Sequence, residues 1–303
     1  MGVIGVGRWG RNIVRVITSS NLMKLIAICD LDIARARSVA QEFGVEYIFS
    51  NYRDLLRSQI IDAIAVAVPI PLLGKISMEI CRAGYHVFVE KPGAYRVQEA
   101  KELMKYEEKG LVIQPGYIVR FKNITEKLRN TIMKESIETI HIRRLSRRPP
   151  HIKTTHLIYD LTPHDIDLAH YLLSEELELE KAHIVSIHGD NIINLILKSS
   201  SGIPIILITD EVSPVKIREI DAILKSRFIR ADCVSDELCE YAIGKYVCSK
   251  VPDTIEPLKA ELEAFAMRIQ GKHIEKAPTA RDILLVLEII EKALKMTGHP
   301  APP

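Results

Sequence analysis

Between residues 1 and 117, short apolar runs alternate with segments of helical period, and the first junction between the two is rich in glycine. That order of elements is the signature of a parallel sheet with helices on its faces. Met1 to Val6 reads as a strand, Asn12 to Ser19 as a helix, and Leu25 to Cys29 as a buried strand ending in Asp30. Ala34 to Phe43 reads as a helix stopped by Gly44. Ile64 to Val68 is a strand closed by Pro69 and Pro71, and the helix after it runs to Arg82 and stops at Gly84. His86 to Glu90 is again a strand, and Val97 to Lys109 a helix ending at Gly110. These units suffice for a doubly wound parallel sheet, the Rossmann arrangement.

The glycine junction is Gly5-Val6-Gly7-Arg8-Trp9-Gly10, with Asp30 twenty residues beyond its last glycine at the end of the next strand. The motif alone says little. Placed after a strand and opening a helix, it is a dinucleotide-binding fingerprint. Gly5 permits the tight turn, Gly7 lets backbone N–H groups approach a pyrophosphate, and Gly10 lets helix and strand pack closely. The helix N-terminus presents the positive end of a dipole to the phosphates. Asp30 can accept hydrogen bonds from both ribose hydroxyls, and its charge repels a 2′-phosphate, so NAD is expected in preference to NADP. Arg35 lies near enough in sequence to bear on that preference; its expected place is the helix surface. The cofactor-binding candidates are Gly5, Gly7, Arg8, Trp9, Gly10, Asn12, Asp30, Glu90 and Lys91. Lys91, in Glu90-Lys91-Pro92 at the end of a strand, is either a solvated lysine or an active-site group, because ligands of open α/β sheets bind outside the carboxyl ends of the strands.

Past Gly116 the period changes. Strands are expected from Thr139 to Arg144, His183 to His188, Ile192 to Leu197, Ile203 to Thr209 and Val215 to Leu224, with turns at Gly189-Asp190-Asn191 and Ser201-Gly202. Helices are expected near Asp165 to Leu173, Pro257 to Gln270 and Ala280 to Lys295. The expectation is therefore an α/β Rossmann domain at 1–117 and an α+β domain with an open, mainly antiparallel sheet at 118–303.

Asp160-Leu-Thr-Pro-His164-Asp-Ile-Asp167 falls among these strands. Thr162 can cap a helix with Pro163 at its first position and Asp165 closing the first turn. Asp160 and His164, four apart, share a face if the turn is helical, and a histidine beside an oriented carboxylate suits proton transfer from an alcohol. The same segment also reads as a capped helix with an incidental histidine. His156, Asp160 and His164 have a metal-like spacing, but no further ligand cluster accompanies it and no metal is expected. Arg143, Arg144, Arg147, Arg148, His151 and Lys153 form a dense basic stretch: a solvated strand and loop, or a grip on a diphosphate or carboxylate.

Composition excludes several classes. Across 303 residues, 41 Lys plus Arg against 39 Asp plus Glu leave a charge of +2, without the basic excess of a nucleic-acid binder. Apolar runs are too short for a membrane span and no signal-type leader opens the chain, so a cytoplasmic protein is expected. Five cysteines without a C-x-x-C pair read as reduced, mostly buried thiols.

GVGRWGRN, EKP and DLTPHDIDL, on a Rossmann half followed by an antiparallel half, resemble the glucose-fructose oxidoreductase/inositol dehydrogenase/MocA family. Gln114-Pro-Gly-Tyr-Ile-Val-Arg120-Phe121 is similar to the family's crossing between domains. The resemblance implies Lys91 as active-site lysine, with a cis Lys91–Pro92 bond, and Asp160 and His164 as its D-x-x-x-H pair. It implies hydride transfer from a secondary sugar alcohol to NAD, with His164 or Lys91 as base. Arg143 to Lys153 and Ser213 to Glu219 are further similar to the UDP-N-acetylglucosamine 3-dehydrogenases and their uronic-acid relatives, whose 3-keto product goes to a partner aminotransferase. The implied substrate-binding residues are Arg120, Arg147, Arg148, Lys153 and His164. A free polyol such as inositol, or a catalytically silent NAD sensor, are the alternatives. A homodimer or homotetramer is implied by resemblance. Val68-Pro-Ile-Pro-Leu-Leu-Gly74 departs from the family, being apolar where a polar turn near the nicotinamide ribose is usual.

Overall fold

The computed structural model describes residues 1–148 and 156–300. The chain divides into two compact units, Met1–Ile118 with Ile255–Leu284, and Val119–Thr254 with the segment from Leu285 onward.

In the first unit, strands β1 (Gly2–Ile4), β2 (Ala27–Cys29), β3 (Tyr47–Phe49), β4 (Ala63–Val66), β5 (His86–Glu90) and β6 (Ile113–Gly116) form one sheet in the order β3-β2-β1-β4-β5-β6. Every pairing is parallel. Helices α1 (Arg8–Ser19), α2 (Ile33–Phe43), α3 (Tyr52–Ser58), α4 (Ile70–Arg82) and α5 (Val97–Glu108) connect them. β1, β2 and β4 are buried at every residue, which is why they are apolar on both faces. The strand order reverses between β1 and β4, so the loops leaving these two strands flank the crevice where such sheets take ligands. β3 and α3 had no place in the sequence reading; β3 is a three-residue edge strand with an exposed Tyr47.

A 3-10 turn over Ile118–Phe121 leads to α6 (Asn123–Ile132). The second sheet comprises β7 (Ile137–Leu145), β8 (Leu177–Ile187), β9 (Asp190–Ser199), β10 (Pro204–Asp210), β11 (Ile217–Leu224), β12 (Phe228–Asp232), β13 (Glu237–Ala242) and β14 (Lys245–Lys250), in the order β14-β13-β12-β11-β7-β10-β9-β8. It is antiparallel except where β10 runs parallel to β7. The β8–β9 hairpin turns through His188 and Gly189, both at positive φ (52° and 85°), as a tight two-residue hairpin loop requires. α7 (Leu157–Asp160) and α8 (Thr162–Leu173) precede β8. Two helices close the chain, α9 (Pro257–Ile269) and α10 (Ala280–Met296).

The linear boundary expected at 117/118 therefore needs correction, because the chain returns to the first unit. Leu258, Leu262 and Phe265 of α9 are buried in one core with Val3, Ile13, Ile17, Ile28 and Phe88. Phe265 meets Phe88 edge to face at 6.0 Å, a pairing that contributes about 1 kcal/mol beyond its buried area. Gln114 Nε2 donates to the Glu261 carbonyl at 2.9 Å.

The reduced-thiol expectation also fails in part. Cys239 of β13 and Cys248 of β14 stand opposite each other and are joined as a disulfide, while Cys29, Cys81 and Cys233 are free. Strand register set this pairing, and no C-x-x-C spacing announced it. Unfolded without reductant, the protein is expected to titrate three thiols, and five after reduction; five in both samples would refute the bridge. Among the described residues, no helix is long and apolar enough to cross a membrane.

Candidate active site

The glycine loop leaves β1 and enters α1. Gly5 has φ +84°, and a Cβ there would lie 2.4 Å from the Ala67 carbonyl oxygen. A Cβ on Gly10 would lie 1.8 Å from the Gly5 carbonyl oxygen, so helix and turn close up only around glycine. Gly7 is different: nothing stands within 4 Å of where its Cβ would be. Gly7 is also the N-cap of α1, and no side chain caps that helix. First-turn amides of a helix lack intrahelical partners, so open space meets unclaimed donors, and the loop fits a dinucleotide pyrophosphate. Arg8 and Trp9 are exposed in that first turn and Asn12 is half-buried in the next.

Asp30 is buried at the end of β2. Its Oδ2 accepts from the Val6 amide at 2.8 Å and its Oδ1 from the Asp32 amide at 2.9 Å, so it braces the glycine loop itself. Arg35 is not simply on the helix surface: its Nη1 lies 3.5 Å from both Asp30 oxygens, and its guanidinium also pairs with Asp32 at 3.2 Å. A cation this close to Asp30 would soften its repulsion of a 2′-phosphate. Asp30→Ala is expected to weaken NAD relative to NADP, measured as the ratio of their dissociation constants. An unchanged ratio would mean that Asp30 holds the loop and does not read the cofactor.

At the carboxyl end of β5, Glu90 accepts a hydrogen bond from the Trp9 indole, tying this strand end to the glycine loop. Burial pushes the Glu90 carboxyl up to about 7, against the pull of Trp9 and the charge of Lys91. Lys91 is half-buried and its bond to Pro92 is cis. The Gly93 amide turns back onto the Glu90 carbonyl at 2.9 Å. After β4, the apolar turn expected at Val68 to Gly74 is mostly helix: Pro69 caps α4 without a side-chain hydrogen bond, Ile70 to Gly74 form its first turns, and Leu72 is exposed.

In the second unit, the side chain of His156 accepts from the Ile158 amide at 3.2 Å and caps α7, with its ring 5.9 Å from that of His299. Desolvation, His299 and Arg148 all lower its proton affinity. Asp160 ends α7 and receives Arg148 Nη1 at 2.9 Å; Arg148 Nε reaches Glu211 at 2.6 Å. Glu211 also accepts from the Asn191 amide and side chain, at 2.9 and 2.8 Å. Glu211 was missed in the sequence because it lies 63 residues from Arg148 and meets it only through the sheet.

The expected cap of α8 is not made. The Thr162 hydroxyl is buried without a hydrogen-bond partner. Asp165 leaves its own first turn to accept Arg144 Nε at 2.6 Å and the Thr209 hydroxyl at 3.0 Å. His164 is half-buried one residue before it, its amide bonded to the Leu161 carbonyl.

Two of the expected substrate cations are buried in ion pairs. Arg120 is 4% exposed and makes two bonds to Asp167, at 2.9 and 2.6 Å. Arg148 is 5% exposed between Asp160 and Glu211. Arg147 is exposed and its side chain pairs with no described residue. Lys153 lies outside the described residues.

A parallel sheet with an unobstructed glycine loop at its switch point and an acid at the end of the second strand is the arrangement that accommodates a dinucleotide, and a lysine follows the fifth strand. Residues 1–117 match the family model for Gfo/Idh/MocA, described as an oxidoreductase family with an NAD-binding Rossmann fold. The chain is 33% identical over 183 residues to the uncharacterized oxidoreductase YrbE of Bacillus subtilis, covering 58% of this chain and 54% of that protein. It is 28% identical over 191 residues to a myo-inositol 2-dehydrogenase of Thermotoga maritima, covering 59% and 56%. These matches thus span about half the length of the relatives. The fold is that of the UDP-N-acetylglucosamine 3-dehydrogenase GnnA of Acidithiobacillus ferrooxidans, with a TM-score of 0.88 over 98% of this chain and 96% of that one at 23% identity.

Proposed function

We propose that the protein is an NAD-dependent dehydrogenase acting on a secondary alcohol of a sugar, the 3-hydroxyl of a UDP-N-acetylhexosamine or its uronic acid. The observation that carries the reaction is Lys91, held at the carboxyl end of β5 beside a Glu90 tied to the cofactor loop. The substrate rests on the likeness in fold to GnnA over nearly the whole chain. Bound NAD supplies the ring carbon that takes the hydride. In this reading Lys91 orients the hydroxyl and stabilises negative charge on its oxygen, and His164 accepts its proton. Asp160, fixed by Arg148, holds the end of α7 that leads into α8 and His164. Arg147 offers the exposed cation for a diphosphate. The keto product would be consumed by an aminotransferase, and a homodimer or homotetramer is the proposed assembly.

A second reading, oxidation of a free polyol, is favoured by the inositol dehydrogenases among the relatives and by the engagement of Arg148 with two carboxylates. Absorbance of the reduced nicotinamide separates the two, with UDP-N-acetylglucosamine in one arm and myo-inositol in the other. An aminotransferase with its amino donor in the first arm pulls an unfavourable equilibrium forward. Reduction with the UDP-sugar, and a higher KM for it in Arg147→Ala, is the expected result. Reduction with inositol alone would select the second reading. Silence in both, with NAD bound, would overturn the dehydrogenase.

A further inference from the structure

We propose that the second unit carries a binding site for a phosphate group, in the cavity between β7, β11 and α8, with Arg144, Arg218 and Lys216 as its donors. The site stands on residues of that unit alone and does not rest on the reading above.

The cavity has a volume of about 160 Å³, several times the ~30 Å³ share of one liquid water. Among the described residues lining it, five side chains are cationic and two are carboxylates. Both carboxylates are already engaged: Asp165 by Arg144 and Thr209, and Glu219 by Arg143. Lys122, at the wall, is answered by Asp236 and Asp253. Among the described residues Lys216 has no carboxylate partner, and Arg218 feels the charges of Asp165 and Asp210 without a direct ion pair to either.

Strand register makes this imbalance costly. Arg144 and Arg218 are directly paired across β7 and β11, where like charges destabilise a sheet. Arg144 is 8% exposed, and of its guanidinium nitrogens Nε alone goes to Asp165. The Arg218 guanidinium donates only to neutral oxygens: the Leu145 and Ile217 carbonyls at 3.0 and 2.7 Å, and the Ser146 hydroxyl at 3.0 Å. Burial, then the Arg144 charge, push Arg218 down to about 10. Two neighbouring guanidiniums sharing one carboxylate, an exposed lysine at the rim and an open volume between them are complementary to a tetrahedral oxyanion, whose oxygens take charge-assisted bonds from all three.

The test is thermal unfolding of the whole chain, saturated with NAD to fill the glycine loop, against inorganic phosphate at constant ionic strength. Wild type is expected to gain a saturable rise in Tm that chloride does not give. Lys216→Ala, an exposed change that leaves folding intact, is expected to need roughly tenfold more phosphate, the effect of one charge-assisted hydrogen bond. Arg218→Gln is expected to abolish the response. Should that variant not fold, Lys216→Ala decides alone. Lys225→Ala, exposed and outside the cavity, is expected to behave as wild type. Pyrophosphate and UDP arms identify the source: at least tenfold tighter binding than phosphate assigns the site to a nucleotide's phosphates, and equal or weaker binding assigns it to free phosphate. Identical responses in wild type and Lys216→Ala, or no response to any of these anions, would overturn the site.

Discussion

Lys91→Ala is expected to lower turnover by at least ~10²-fold, the scale of a positioned group that handles a proton or developing charge, while the dissociation constant for NAD changes by no more than a few-fold. The two effects separate because the proposed pyrophosphate cradle is the glycine loop and the start of α1, whose conformation depends on Gly5, Gly10 and Asp30 rather than on Lys91. Lys91 follows a carboxyl that burial pushes up to about 7 against the pull of Trp9 and of the Lys91 charge. Arginine is not expected to rescue, since a planar, permanently charged fork cannot replace a compact ammonium that can also give up its proton. Stopped-flow measurement of nicotinamide reduction, with fluorescence titration of NAD binding, reads both quantities. Turnover within fivefold of wild type would remove Lys91 from the chemistry.

The second large effect concerns stability. Arg120→Ala is expected to destabilise the fold by about 3–5 kcal/mol, because it leaves Asp167 buried without its bidentate partner. Tm should fall by on the order of 10 °C for a unit of this size. Both side chains are almost wholly removed from water, and the guanidinium also lies 5.2 Å from the Tyr171 ring. A substrate-gripping arginine would do the opposite, raising KM at unchanged Tm. Asp167→Asn, and the double variant, complete a cycle that isolates the coupling between the pair. A fall in Tm under 2 °C for Arg120→Ala would return Arg120 to the list of substrate contacts.

That contrast marks where the sequence was readable. Glycine-loop chemistry was legible because Gly5 and Gly10 are demanded by local sterics, and the two-sided burial of β1, β2 and β4 writes itself into unbroken apolar runs. The hairpin through His188 and Gly189 carries its turn signal locally. What could not be read was pairing at long range. Whether Arg120 and Arg148 face solvent or a carboxylate depends on Asp167, 47 residues away, and Glu211, 63 residues away. Likewise α9 was assigned by position in the chain, whereas its apolar face belongs to a core begun at Val3. Thr162 had the spacing of a cap, but Asp165, which should have completed it, is drawn off by Arg144. Arg35 was judged from its exposed helix, where the decisive neighbour was Asp30.

The parallel pairing of β10 with β7 has a kinetic consequence. β8, β9 and β10 form one run of adjacent antiparallel strands, and β11 to β14 another, each closed by short connections. β7 precedes both in the chain yet lies between them in the sheet, its partners Ile205 and Ile220 both far from Ile140 and Ile142 in sequence. Local hairpins close in microseconds, whereas joining distant strands carries loop-closure entropy that only later contacts repay. Amides of β9 and β13 should therefore gain protection before those of β7 in pulsed hydrogen exchange during refolding, and simultaneous protection would refute this order. Until β7 is seated, each meander presents an unpaired edge, so the refolding yield of this protein should fall as its concentration rises.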